Sequence, residues 1–461
     1  MRNTSLSSQA DGATPVYIAS EAELSSVAAQ LGPVAKQWLS AINFKAQPGK
    51  TAILPAQDGS IECAIIGAPL DNDPFAQFKF ANLIKTLPAG NYCLASETSS
   101  KDAIGLAWLL GGYKFDLYSA GENASRSLFI PDNASQSEIE SIADGVCLTR
   151  DLINTPANDM GPSKLEEAVS KIASDYGAEF SSVVGDELLT QNFPMIHAVG
   201  RASSDAPRLL ELRWGNPDRP NITLVGKGVT FDTGGLNIKS GNNMLLMKKD
   251  MGGAANVLGL ASMIMSANLA VNLHVLVPVA ENAISGNSFR PGDVLSSRKG
   301  ISVEIGNTDA EGRLILGDAL AYADEEHPEL IINMATLTGA ARVAVGPDLA
   351  PFYSDDEDLC SAIVAASEEV IDPVWRMPIW PPYSSMLESK VADINHTSMG
   401  MFAGSITASL FLSKFVENSK SWCHFDIFGW VPVAKPWAPV GGEAQGIRAL
   451  FKMLSKKYPA V

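Results

Sequence analysis

From about residue 222 onward one pattern recurs: a short apolar run, a loop rich in glycine and polar residues, then a helical stretch. Residues 222–225, 273–277, 302–305, 330–334 and 424–428 read as buried strands, and 253–266 and 311–324 as helices. A helix inserted between two strands returns the chain to the same edge of the sheet, so the strands pair in parallel. Strands that are apolar along their whole length must be covered on both faces. The expectation is therefore an α/β protein whose C-terminal α/β/α domain holds a mixed, mostly parallel sheet. Ligands of such sheets bind at the carboxyl ends of the strands, where the loops lie.

A chain of 461 residues has room for two or three domains. In the first third, β-like runs at 51–55 and 63–66 mix with helical stretches at 73–87 and 103–111, which suggests a smaller N-terminal α/β domain. Asp73 and Pro74 suit the N-cap and first position of a helix. Residues 1–15 are small and polar and are expected to be loose. The stretch Ile-Pro-Asp-Asn-Ala-Ser-Gln-Ser at 130–137 reads as a linker, followed by a helix over 138–152. The expected domains are 1–135 and 136–461, the second starting with that linker helix. No internal repeat or low-complexity block interrupts them.

Several function classes fall away. A formal net charge of −17 disfavours nucleic acid or an anionic membrane as partner. No apolar run reaches the ~20 residues that span a bilayer, and MRNTSLSSQADGATP lacks the apolar core of a signal peptide. Five scattered cysteines, with no CxxC, point to a reducing compartment rather than a disulfide framework, so a cytoplasmic location is expected. The five histidines are not spaced to share a metal on one helix face, and no HExxH, GxSxG or Walker A loop is present.

What remains are acids and lysines in the loops that follow strands. The first loop, 225–239, reads VGKGVTFDTGGLNIK and carries Lys227, Asp232 and Lys239. The second, MKKDMGGAA from Met247, carries Asp250; the third, GNTDAEGRL from Gly306, carries Asp309, Glu311 and Arg313. Singly, Asp250 or Asp309 could be a helix N-cap, and Glu311 a charge favouring the helix dipole. Together, four carboxylates at one sheet edge repel one another unless cations neutralise them. Hard divalent ions do so, and paired ions suit hydrolysis. The residues alone thus point to a carboxylate-rich dinuclear hydrolase, a phosphoesterase or dipeptidase included.

At these positions the chain resembles the leucine aminopeptidase (cytosol aminopeptidase) family. Asn307-Thr-Asp-Ala-Glu-Gly-Arg313 is similar to that family's signature heptapeptide throughout, and 225–236, 247–255 and Ala335-Thr-Leu-Thr-Gly339 resemble its flanking motifs in order and spacing. The likeness covers roughly 150–455. One departure is Ser240, where many members have proline after the catalytic lysine.

The resemblance implies a metal-dependent aminopeptidase with two divalent ions, Mn or Zn, and a water activated between them. Lys227, Asp232, Asp250 and Glu311 would hold the tighter ion. Asp232, Asp309 and Glu311 would hold the more exchangeable one. Lys239 would stabilise the oxyanion, and Arg313 would hold a bicarbonate ion that shuttles the proton. Met247, Thr336 and Gly339 would line the pocket for the first residue, with a leucine-like preference. Asn307 and Leu337 would touch the substrate backbone. Peptide substrates and a homohexamer follow by the same analogy. A non-catalytic relative would be expected to lack one of these ligands, and none is lacking.

Overall fold

The computed structural model describes residues 2–68, 73–119, 124–132, 135–398 and 400–460. Asn133 and Ala134 of the expected linker lie outside the described residues. The chain forms two units: Met1–Cys147 with Val433–Val440, and Leu148–Pro432 with Gly441–Val461. The division falls inside a helix, Gln136–Asn154, at whose first turn the expected boundary at 135 sits.

The N-terminal unit is built on a six-stranded sheet in the order Thr4–Ser7, Arg126–Phe129, Gly90–Leu94, Thr14–Ala19, Ile61–Gly67, Thr51–Pro55. All neighbours are parallel except the last pair. Two expectations are corrected here. Residues 4–7 and 14–15, expected to be loose, lie in strands. Thr4–Ser7 is a strand in register with Arg126–Phe129, and Trp108 Nε1 donates to Ser5 O at 3.1 Å. The stretch 73–87 is not an α-helix. Asp73 closes a turn through Phe75 N at 2.9 Å, and Gln77–Lys85 winds as a 3₁₀ helix. Its buried residues, Phe78, Ala81 and Ile84 beside Phe80 and Leu83, recur every third position and stack in columns along a three-residue turn. The returning segment 433–440 brings Trp437 against this helix, with ring centroids 5.2 Å from Phe75 and 5.5 Å from Phe78.

The second unit carries nine strands in its main sheet: β1 (Glu179–Val184), β2 (Arg208–Gly215), β3 (Asn221–Gly226), β4 (Gly228–Asp232), β5 (Asn272–Asn282), β6 (Leu330–Ala335), β7 (Ala350–Tyr353), β8 (Val374–Arg376) and β9 (Trp422–Asp426). They lie in the order β8-β7-β9-β6-β3-β5-β2-β1, with β4 paired to β5. Five pairings are parallel, namely β7–β8, β9–β6, β6–β3, β3–β5 and β5–β4, so the sheet is mixed and mostly parallel. The strand expected at 424–428 is shifted, running from Trp422 to Asp426.

Side-chain alternation divides the two faces. Val225, Leu276 and Ile331 join a core with helix α2 (Gly312–Asp324) and with Leu410–Leu412 of helix α3 (Gly404–Ser413). The next residue along β3, Gly226, faces the other way, onto Ala254 and Val257 of helix α1 (Gly252–Ser266), which packs beside helix α4 (Ile447–Lys457). Every residue of α1 but the last is buried, as expected of a helix enclosed on all sides. Each fully buried Leu, Ile or Val contributes roughly 1.5–3 kcal/mol relative to exposure. Among the described residues no helix is long and apolar enough to cross a membrane.

Candidate metal centre

The three loops picked out from the sequence meet at the carboxyl edge of β3, β4, β5, β6 and β9. Lys227 leaves β3 and donates its Nζ to Asp250 Oδ2 at 2.7 Å and to the Thr336 carbonyl at 3.2 Å, with Glu311 Oε1 at 3.0 Å. Its stem passes so close to α2 that a side chain on Gly312 would meet Lys227 Cε at 2.3 Å. A side chain on Gly253, in the first turn of α1, would meet Met334 O at 2.2 Å. Glycine at these two places lets both helix starts close on the lysine.

Lys239 Nζ lies 2.8 Å from Asp232 Oδ2 and also pairs with Asp309 Oδ1. The other oxygen of Asp232 accepts from Gly234 N and Asn282 Nδ2, each at 2.8 Å. Asn282, at the end of β5, also donates to Thr308 O at 3.0 Å and so ties the first loop to the third. Asp250 Oδ1 accepts from the Thr336 hydroxyl at 2.9 Å. Neither Asp250 nor Asp309 caps a helix: Asn307 caps the turn at Thr308, accepting from Asp309 N at 2.9 Å. The acids are left free for another task.

Ligand atoms of Asp232, Asp309 and Glu311 lie within 4.8 Å of one another. Asp309 Oδ1 and Glu311 Oε1 are buried without a hydrogen bond of normal geometry, although an ammonium group sits beside each. Burial and the neighbouring Asp232 charge push the Glu311 carboxyl up to about 8, against the pull of Lys227. The same two causes push Asp309 up to about 6. Lys227 is held above the ordinary lysine range: burial opposes its charge, but Asp250, Glu311 and Asp232 together outweigh burial. Lys239 is raised likewise, burial being overcome by Asp232 and Asp309. Four carboxylates facing two ammonium groups leave a deficit of positive charge, which the raised Glu311 and Asp309 carboxyls reflect and which divalent cations can fill. The donor set fits two such ions.

A cavity of about 490 Å³ opens over this cluster. Lys227, Asp232, Lys239, Met247, Asp250, Asp309, Thr336, Leu337 and Gly339 all line it. Three residues stand outside its lining. Glu311 is 1% exposed, beneath the cluster. Asn307 is spent on the backbone of its own loop. Arg313 is buried, with Nη1 donating to His396 O at 2.7 Å and Nε without a partner. Burial lowers the Arg313 guanidinium to about 10, with Asp426 and Glu311 opposing. His396 is fixed in turn, its Nε2 2.8 Å from Asn307 O, and burial beside Arg313 lowers its imidazole to about 3.

Sequence reasoning missed Asn282, Asp426, Lys249 and Phe428. Asp426, at the end of β9, accepts from Leu337 N at 3.1 Å, Thr338 N at 2.9 Å, and the hydroxyls of Thr338 and Ser405 at 2.6 Å each. It thereby fixes the 336–339 loop. Lys249 and Phe428 line the cavity. Burial, with Lys227 and Arg342 nearby and Asp250 opposing, lowers the Lys249 ammonium to about 8.

A parallel sheet covered on both faces, with acids and lysines gathered over a cavity at its carboxyl edge, defines a metal-dependent hydrolase. Residues 147–451 match the catalytic domain of the cytosol aminopeptidase family, and residues 14–131 match the M17 aminopeptidase N-terminal domain. The chain belongs to the cytosol aminopeptidase family, and its class is that of metal-dependent aminopeptidases acting on peptides. A probable cytosol aminopeptidase of Clostridium perfringens is 36% identical over 407 residues, 82% of each chain. The crystal structure of cytosol aminopeptidase from Coxiella burnetii is 42% identical and superposes with a TM-score of 0.94 over 99% of both chains. The bottromycin maturation enzyme BotP in complex with Mn is 28% identical, with a TM-score of 0.87 over 96% of this chain and 99% of its own.

Proposed function

We propose that the chain removes single residues from the free N-terminus of peptides at a two-ion centre held by Lys227, Asp232, Asp250, Asp309 and Glu311. The observation that carries this reading is the convergence of Asp232, Asp309 and Glu311 within 4.8 Å, two of them with a buried oxygen that has an ammonium beside it but no hydrogen bond of normal geometry. Divalent ions bound there supply Lewis acidity toward the scissile carbonyl and lower the pKa of water. Lys227 must give up its proton to act as a ligand, and nearby cations favour that loss.

The protein's own groups do the rest. Lys239, kept charged between Asp232 and Asp309, projects into the cavity and stabilises negative charge as it develops on the carbonyl oxygen. Arg313 remains a cation at any working pH and cannot be the base. Its unpartnered Nε suits a small anion, and a bicarbonate held there would supply a proton carrier. The His396 carbonyl fixes the guanidinium for that purpose. A free α-amine held at the ion centre, where Thr336 and Lys227 orient Asp250, would account for exopeptidase action. Leu337, which lines the cavity, guides the substrate backbone; for Asn307 the resemblance alone gives that role. Met247, Thr336 and Gly339 form the pocket for the first residue, favouring leucine- and methionine-like side chains.

Manganese is supported by the complex of BotP with Mn, and zinc suits the same donors. A homohexamer is carried over from the resemblance. The five free cysteines and the relatives named for the cytosol support a cytoplasmic location. The test uses chelated protein reloaded with Mn²⁺ or Zn²⁺ and assayed on leucine anilide and N-acetyl-leucine anilide. Chelation should abolish activity with the fold intact, and acetylation should block turnover. Full activity after metal-verified chelation, or equal turnover of both anilides, would overturn the reading.

A further inference from the structure

The pocket for the first residue contains a charged side chain that the chemistry above does not use. Lys249 lines the same cavity as Met247, Thr336 and Gly339, yet the residue is 5% exposed. Among the described residues its ammonium has no hydrogen-bond acceptor and no ion-pair partner, and the nearest acids are already committed. Asp250 gives Oδ2 to Lys227 and Oδ1 to Thr336. Asp426 gives both oxygens to Leu337, Thr338 and Ser405.

What Lys249 does have is an aromatic face. Its Nζ lies 5.0 Å from the Phe428 ring centroid, and the guanidinium carbon of Arg342 lies 5.0 Å from the same ring. Phe428 and Arg342 also line the cavity. A ring can position two cations over its π-system, but it does not neutralise them. A buried ammonium without a counter-ion is costly, and an anion that reaches it relieves that cost. The space that Lys249 lines is the substrate cavity, so the anion comes with the substrate.

We propose that Lys249, seconded by Arg342 across the Phe428 ring, receives the carboxylate of an acidic first residue, extending the enzyme's range from leucine-like to glutamate-like N-termini. The proposal rests on the aminopeptidase reading of this cavity. Met247 and Phe428 pack along the methylene stem, and the cation meets the carboxylate at its end. Two substrate carboxylates could satisfy an ammonium: the side chain of the first residue, or the chain terminus of a dipeptide. The position of Lys249 beside Met247 and next to Asp250 in sequence places it with the first residue.

The test compares anilides of glutamate, glutamine and leucine with full-length, metal-loaded wild type and Lys249→Met. Glutamine has the shape of glutamate without its charge, and no anilide carries a C-terminal carboxylate. A hydrogen-bonded ion pair in such a site corresponds to about 10–100-fold in kcat/KM, so wild type should favour glutamate over glutamine by that factor. In Lys249→Met the preference should collapse to about one or below, and Arg342→Met should lower it by less. Should Lys249→Met fold poorly, Lys249→Arg keeps the charge and should keep the preference. Free glutamate should also inhibit wild-type leucine anilide turnover more tightly than free glutamine. Leucine turnover with no preference for glutamate over glutamine, or a preference that survives Lys249→Met, overturns the proposal while leaving the aminopeptidase intact. No turnover of any anilide by metal-loaded wild type would instead overturn the aminopeptidase reading. A Lys249→Met defect confined to Leu-Gly, and absent with Leu-Gly amide, would assign the ammonium to the dipeptide terminus and overturn the assignment to the first residue.

Discussion

Asp426 offers the most direct test of how the site is held in shape. It is 1% exposed and takes donors from two backbone amides and two hydroxyls of residues that flank the cavity. Asp426→Ala removes the acceptor for Leu337 N and Thr338 N together. An orphaned buried amide costs about 1–3 kcal/mol, so the pair, partly buried beside the cavity, costs at most about 2–6 kcal/mol, before any contribution from the hydroxyls. Asp426→Asn keeps an oxygen for both amides, and its NH₂ can donate to the Thr338 or Ser405 oxygen. Only the charge assistance is lost, about 1–2 kcal/mol. Burial raises the Asp426 carboxyl above its ordinary range, so losing the charge relieves a desolvation cost in both variants alike and leaves the lost acceptor to set the gap between them. Urea unfolding gives the stabilities. Leucine anilide kinetics report the loop, because Thr336, Leu337, Thr338 and Gly339 all line the cavity. Asp426→Ala should lose kcat/KM well beyond Asp426→Asn. An alanine variant within 1 kcal/mol of wild type, or an asparagine variant as damaged as alanine, would refute the assignment of this carboxylate as the anchor of the loop.

Glu311→Ala should lose metal occupancy as well as rate. Arg313→Ala should keep its metal and become slower by about 10²–10⁴-fold, with weaker stimulation by bicarbonate; metal analysis beside kinetics decides between them. Metal uptake by the apo-protein should release protons, because the Glu311 carboxyl, raised to about 8, and the Lys227 ammonium must both be bared. The sign follows: affinity should rise with pH, and release should fall from about two protons toward one as pH passes about 8. Calorimetry in buffers of differing ionisation enthalpy measures the release, and proton-neutral uptake between pH 6 and 8 would contradict it. Ser240 already has φ −64° and ψ 154°, the geometry of proline. Ser240→Pro should therefore raise stability by about 0.4–1 kcal/mol with activity retained, as read by urea unfolding and anilide turnover.

The strands of the central sheet were legible because β3, β6 and β9 are buried along nearly their whole length and so read as mostly apolar runs. The acids were legible because each sits in a loop between a strand and a helix, where a parallel sheet gathers its ligands. The rest was hidden for physical reasons. Thr4–Ser7 has no apolar run of its own, and its strand exists only through pairing with a segment some 120 residues later. The period of three in 78, 81 and 84 lies too close to 3.6 to be told from an α-helix over nine residues. Asp426 fixes amides 88 and 89 residues away in sequence, a distance over which no local pattern speaks. Lys249 stands beside a visible motif, but only the packing of Phe428 shows that it is buried and without a partner.

The return of residues 433–440 to the N-terminal unit bears on the order in which the chain can be completed during synthesis. Phe75 and Phe78 leave the ribosome early, whereas Trp437, which covers them, follows about 360 residues later. At ~5–20 residues per second, those rings wait roughly 20–70 s for their cover. Throughout that interval the nascent N-terminal unit carries an open apolar seam. A fragment ending at Cys147 would carry it permanently, and would fold soundly only when a 433–440 peptide is supplied in trans.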